Sequence, residues 1–153
     1  MALIGRIFVI MFALFLAALA AGIAAAFAIA GLTLNAAIGD PVDQVLFWSI
    51  ATFASGLAAF GAFLPTIIAV AVAEIFAIRS ALIYAAAGAV ILVIGYYSAG
   101  LATTYSESID AAPPVIPRGA EIAAAVGVVF GLAYWAIAGR RAGAWLHTAR
   151  AAN

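Results

Sequence analysis

The chain has no cysteine and no lysine, a single histidine, and only six arginines and six acids among 153 residues. Without cysteine there is no disulfide, no thiolate nucleophile and no thiolate metal site. With His147 as the sole histidine, bis-histidine haem ligation within one chain and a histidine-rich metal centre are excluded. The missing lysine accompanies abundant alanine and is read as a bias of genome composition. The charges cancel, so there is no basic field for nucleic acid and no acidic tail, and nucleic-acid binding is not expected. The G-x-S-x-G, H-E-x-x-H, P-loop and dinucleotide fingerprints are also absent. No catalytic, cofactor-binding or metal-binding residue is assigned, and the chain is read as not an enzyme.

What remains is apolar. Hydrophobic residues make up 69% and charged residues 8%, with a mean hydropathy of +1.28, against about half and about a quarter in soluble domains. Four apolar runs approach or exceed the ~18 to 20 residues that a helix needs to cross the hydrocarbon core. The expected fold is an all-α integral membrane protein: one membrane domain, residues 1–153, with four transmembrane helices in an antiparallel bundle. The helices are placed at about 7–34, 44–72, 79–104 and 118–139, with outer loops near 35–43 and 105–117 and a tail from about 140. Arg6 before the first run, with Ala18-Leu19-Ala20 inside it, resembles a cleavable signal. The run is about twice as long as a signal core, which favours a retained anchor.

Four crossings would put Arg6, Arg79, Arg140, Arg141 and Arg150 on one side and Arg118 alone on the other. The positive-inside rule then makes both termini cytoplasmic. Asp40 is suited to cap the second helix, with Pro41 at its first position and Asp43 and Gln44 near the orphan amides. Phe47, Trp48, Tyr96, Tyr97, Tyr105, Tyr134, Trp135 and Trp145 fall where an interfacial aromatic belt would place them. No turn signal interrupts Val45 to Ile78, which contains only Gly61 and Pro65. Either Pro65 kinks a tilted helix that ends near Val72, or a short helix after Pro65 lies in the inner interface before Arg79; the kink is the favoured reading, with Glu74 to Arg79 forming the inner turn.

Glu74 and Arg79 are the only charged residues between Asp43 and Glu107. They are either an ion relay at membrane depth or an interfacial pair closing the inner turn, and five residues apart they can pair only across that turn. Gly22, Ala26 and Ala30, and likewise Ala123, Gly127 and Gly131, recur every fourth residue and are helix-packing candidates. Helical Ser49, Thr52, Ser55, Thr66 and Ser98 are expected to satisfy themselves on backbone carbonyls or neighbouring helices. The polar, proline-rich stretch containing Glu107, Asp110, Pro113 and Pro114 is the candidate partner loop.

The ending Gly131-Leu-Ala-Tyr134-Trp135-Ala-Ile-Ala-Gly139-Arg140-Arg141-Ala-Gly143-Ala-Trp145 resembles the last-helix ending of small uncharacterised four-helix membrane proteins of alphaproteobacteria. The resemblance implies a bacterial inner-membrane location and no particular activity, cofactor or catalytic residue. Four-helix small multidrug exporters depend on a glutamate in their first helix, and no acid precedes Asp40 here. The expected role is a non-catalytic accessory or assembly subunit of a larger inner-membrane complex, whose partners are the lipid bilayer and other membrane subunits or copies of itself. The alternative is a small homo-oligomeric transporter or channel, with Glu74 on a path shared with Thr66, Ser55 and Thr52.

Overall fold

A computed structural model describes residues 2–30, 35–61, 63–101 and 116–143. The described chain is helical, with no strand among the described residues: α1 (Ala2–Ala30), the single turn α2 (Asn35–Ile38), α3 (Pro41–Gly61), α4 (Phe63–Ile75), α5 (Ala81–Ser98) and α6 (Arg118–Ile137), followed by a 3-10 turn at Gly139–Arg141. Four of these helices, α1, α3, α5 and α6, are long and apolar enough to cross a membrane. The chain is therefore a multi-pass membrane protein.

Side-chain size sorts by depth in the opposite way to a water-soluble bundle. Large apolar residues face outward, among them Phe53, Phe60, Leu82 and Ile94, while the α1 interior is built from Ala13, Ala17, Ala18, Ala21, Ala25 and Ala26. Lipid tails solvate a leucine as well as a protein core does, so close backbone approach and dispersion hold such helices together. Two seams run along α1. Ala13, Ala17, Ala21 and Ala25 belong to the main core with Val70 and Ala73 of α4 and Val126, Phe130 and Tyr134 of α6. Ala26 joins a smaller cluster with Phe47 and Ala51 of α3.

Phe47, one of the aromatics expected at the interface, is instead buried against Phe27, the ring centroids lying 4.9 Å apart. Tyr134 is likewise a core residue, stacked at a tilt on Tyr84.

The α3 start is built as its residues suggest. Asp40 Oδ1 accepts from Val42 N at 2.9 Å, and Gln44 Nε2 donates to the Gly39 carbonyl at 3.0 Å. Pro117 precedes α6 without a side-chain cap, and its carbonyl accepts from Ala120 N at 2.8 Å.

The second apolar run is helical on both sides of position 62, as α3 to Gly61 and α4 from Phe63, and the junction itself, with the expected kink near Pro65, lies outside the described residues. Pro65 is the third residue of α4.

The turn after α4 is a Schellman motif. Ile78 N donates to Ala73 O at 2.9 Å and Ala77 N to Glu74 O at 3.4 Å, with Ala77 at φ 50° in the left-handed region. Glycine normally holds that position, because a Cβ is crowded there.

Candidate functional site

The polar groups of this apolar molecule converge where α4 and α6 end. Glu74 occupies the last turn of α4 and is 8% exposed. A carboxylate at that end meets the negative pole of the helix dipole and needs a compensating cation. Arg6, from α1, supplies it. Its Nη2 is ion-paired with Glu74 Oε1, and its Nε donates to the same oxygen at 3.1 Å. The same Nη2 donates to the Ala138 carbonyl at 2.9 Å, just past the end of α6. One guanidinium thus serves the carbonyl ends of two helices.

The second carboxylate oxygen is also occupied. Gly143 N donates to Glu74 Oε2 at 3.1 Å. Gly143 is at φ 70°, and a Cβ added to it would lie 2.5 Å from the Ala77 Cβ, so the backbone can reach Glu74 only without a side chain. The strained Ala77 and the bare Gly143 face each other across this contact.

Arg79 does not pair with Glu74. Its Nε donates to the Ala142 carbonyl at 3.1 Å, while its own carbonyl accepts from Trp135 Nε1 at 2.8 Å. The Arg140 guanidinium lies 4.6 Å from the Trp135 ring centroid, in cation–π range. Tyr84 OH donates to the Ile78 carbonyl at 3.1 Å. The result is a clasp that ties α1, the α4–α5 turn and the segment after α6. An arginine fork suits it, since Arg6 reaches both Glu74 Oε1 and the Ala138 carbonyl.

The sequence reading looked for the partner of Glu74 nearby and missed Arg6, 68 positions away. One signal was available: an acid closing an apolar helix needs a cation, and Arg6 is the one charge inside the first run's leading end.

Of the packing candidates, Gly22 is buried on α3, and a Cβ there would overlap Ala51 O and Ser55 Oγ. Ala26 is fully buried and Ala123 half-buried. Ala30 ends α1, and its side chain lies outside the described residues. Gly127 meets α5, where a Cβ would come 2.7 Å from Ala89 Cα, and Gly131 abuts the Tyr84 backbone. The reading did not single out the α1 seam at Ala13, Ala17, Ala21 and Ala25, although the spacing was present. Glu107, Asp110, Pro113, Pro114 and His147 lie outside the described residues.

Among the helical hydroxyls, Thr52 donates to the Trp48 carbonyl at 2.8 Å and Ser55 to the Ala51 carbonyl at 2.7 Å. Thr66 differs: it is 5% exposed, and its hydroxyl has no hydrogen-bond partner among the described residues. It lines a cleft of about 190 Å³ between α4, α5 and α6. Among the described residues, no three histidine or acidic side chains gather in a metal-binding group. Comparison with models of protein families, with curated proteins and with solved structures found no match for this chain.

Proposed function

We propose that the chain is a non-catalytic accessory or assembly subunit of a larger complex in the bacterial inner membrane, folded as an antiparallel bundle with both termini cytoplasmic. The observation that carries this reading is the uneven covering of the spanning helices. Only 17% of the α3 span and 11% of the α5 span are buried, against 28% for α1 and 33% for α6. α1 and α6 make the centre, and α3 and α5 flank it with most of their surface bare, which leaves room for the partner subunits of this reading.

Tyr84 meets Gly131, Gly88 meets Gly127 and Tyr96 meets Gly119, a sequence of contacts that supports opposite directions for α5 and α6. Arg6, Arg79 and Arg140 share the clasp, whereas Arg118 opens α6. That asymmetry favours a cytoplasmic clasp.

The occupied state of Glu74 counts against a transport path. Both its oxygens are held within the fold, so carrying an ion would require the clasp to open. Extraction in a mild detergent tests the reading: larger membrane subunits are expected to co-purify in fixed stoichiometry. Recovery of the lone polypeptide or its homo-oligomer alone would overturn it. A liposome flux assay separates the transport alternative, and equal flux in wild type and Glu74→Gln removes Glu74 from any pathway.

A further inference from the structure

We propose that the cleft between α4, α5 and α6 is a binding site for a neutral, largely apolar molecule bearing one carbonyl oxygen, which accepts a hydrogen bond from Thr66. The walls are apolar and carry no charged side chain, with Val70, Ala73, Ile91, Phe130 and Gly131 among them. Glu74, which follows the wall residue Ala73, is ion-paired with Arg6. Nothing in the cleft would compensate a charged guest, so the guest is neutral.

The Thr66 hydroxyl sets the remaining chemistry. A buried donor without a partner is costly, and in a membrane span the usual remedy is the helix's own carbonyls, as Thr52 and Ser55 show. Water is a poor substitute here, because a buried water needs about two to four polar partners. The other wall hydroxyls belong to Tyr84, which is spent on the Ile78 carbonyl, and to Tyr134. Tyr134 lies one turn before Ala138, whose carbonyl shares Arg6 with Glu74. Thr66 is eight residues from Glu74, roughly 12 Å along α4, too far for one water to serve both ends. A carbonyl answers the single donor without bringing a donor of its own. A volume of about 190 Å³ is below the ~300 Å³ at which drug-sized pockets begin, so the guest is one or two small rings or one short tail rather than a whole phospholipid.

Benzophenone, a neutral aromatic ketone that inserts into nearby C–H bonds on illumination, is the probe. The full-length protein is labelled as purified in mild detergent and again after exchange into nanodiscs of a carbonyl-free dialkyl ether phosphatidylcholine, and adducts are mapped by mass spectrometry. Adducts are expected on Val70, Ile91 or Phe130. Thr66→Val should lower them about tenfold, the equivalent of one hydrogen bond, while Thr66→Ser retains them. Ala87→Phe, which fills the cleft, should remove them. Outward Phe53 and Phe60 report non-specific partition and should be labelled equally in all variants. Cleft labelling that appears only after lipid exchange identifies a lipid carried through purification; equal labelling in both states identifies a site filled from solution. Adducts confined to outward residues in both states, or cleft adducts equal in wild type and Thr66→Val, would overturn the proposal.

Discussion

At the level of single residues, Glu74 and Arg6 illustrate how a charge is tolerated inside a hydrophobic molecule. Neither is favourable alone: the acid sits at the wrong pole of α4, and the arginine leaves water for a site where its side chain is 13% exposed. Each is tolerated because the other, the Ala138 carbonyl and the Gly143 amide complete its bonding. Removing one partner from a buried pair typically costs about 3 to 5 kcal/mol, whereas replacing both by apolar residues is often close to neutral. Glu74→Leu should therefore lower thermal stability in detergent by about that amount, with Arg6→Met/Glu74→Leu recovering most of the loss. Strictly additive losses in the double variant would show that the two side chains do not act as a pair. Ala77 supplies an independent check. It holds the left-handed cap position, where an alanine is disfavoured by roughly 1 kcal/mol or more. Ala77→Gly is expected to raise stability by about 1 kcal/mol, read as a higher midpoint in the same assay.

Among the helices, tight packing is specific to particular glycines. A Cβ on Gly127 would strike the backbone of α5, while one on Gly95 meets nothing within 4 Å. The same substitution should then have opposite signs: Gly127→Ala is expected to destabilise by about 1 to 3 kcal/mol through overpacking, and Gly95→Ala to stabilise by about 0.5 to 1 kcal/mol through helix propensity. Matched melting curves decide it, and equal shifts would mean that α5 and α6 do not approach as described. These two glycines also mark the limit of what the sequence reveals. Gly127 stands in a visible small-residue repeat, but its partner Gly88 is across the interface, and spacing within one helix does not identify its neighbour. Spanning helices were legible because run length alone decides them, and the α3 start because Asp40, Pro41 and Gln44 act locally. The clasp was half legible: Glu74 stood out as an isolated acid, but Arg6 reaches it only through the tertiary packing of α1 on its neighbours. Thr66 looked like Thr52, and only the fold distinguishes a hydroxyl that bonds its own helix from one that bonds nothing.

On the scale of the whole molecule, the absence of cysteine makes the proposed orientation directly measurable. Single substitutions Asp40→Cys and Ser80→Cys place one thiol before α3 and one before α5. In intact cells a membrane-impermeant maleimide should label the first and spare the second until the membrane is opened; the reverse pattern would invert the orientation. The clasp also imposes an order on biogenesis. Arg6 and Glu74 are separated by 68 positions, so during synthesis the first helix is made with a cation whose acidic mate arrives only with α4, and the Ala138 carbonyl that shares it arrives only after α6. A nascent product halted before Ala138 and Gly143 carries an incompletely bonded Arg6–Glu74 pair. The neutralised pair thus acquires its last hydrogen bonds only when the segment after α6 docks, which gives proteolytic surveillance a physical criterion for telling docked copies from undocked ones.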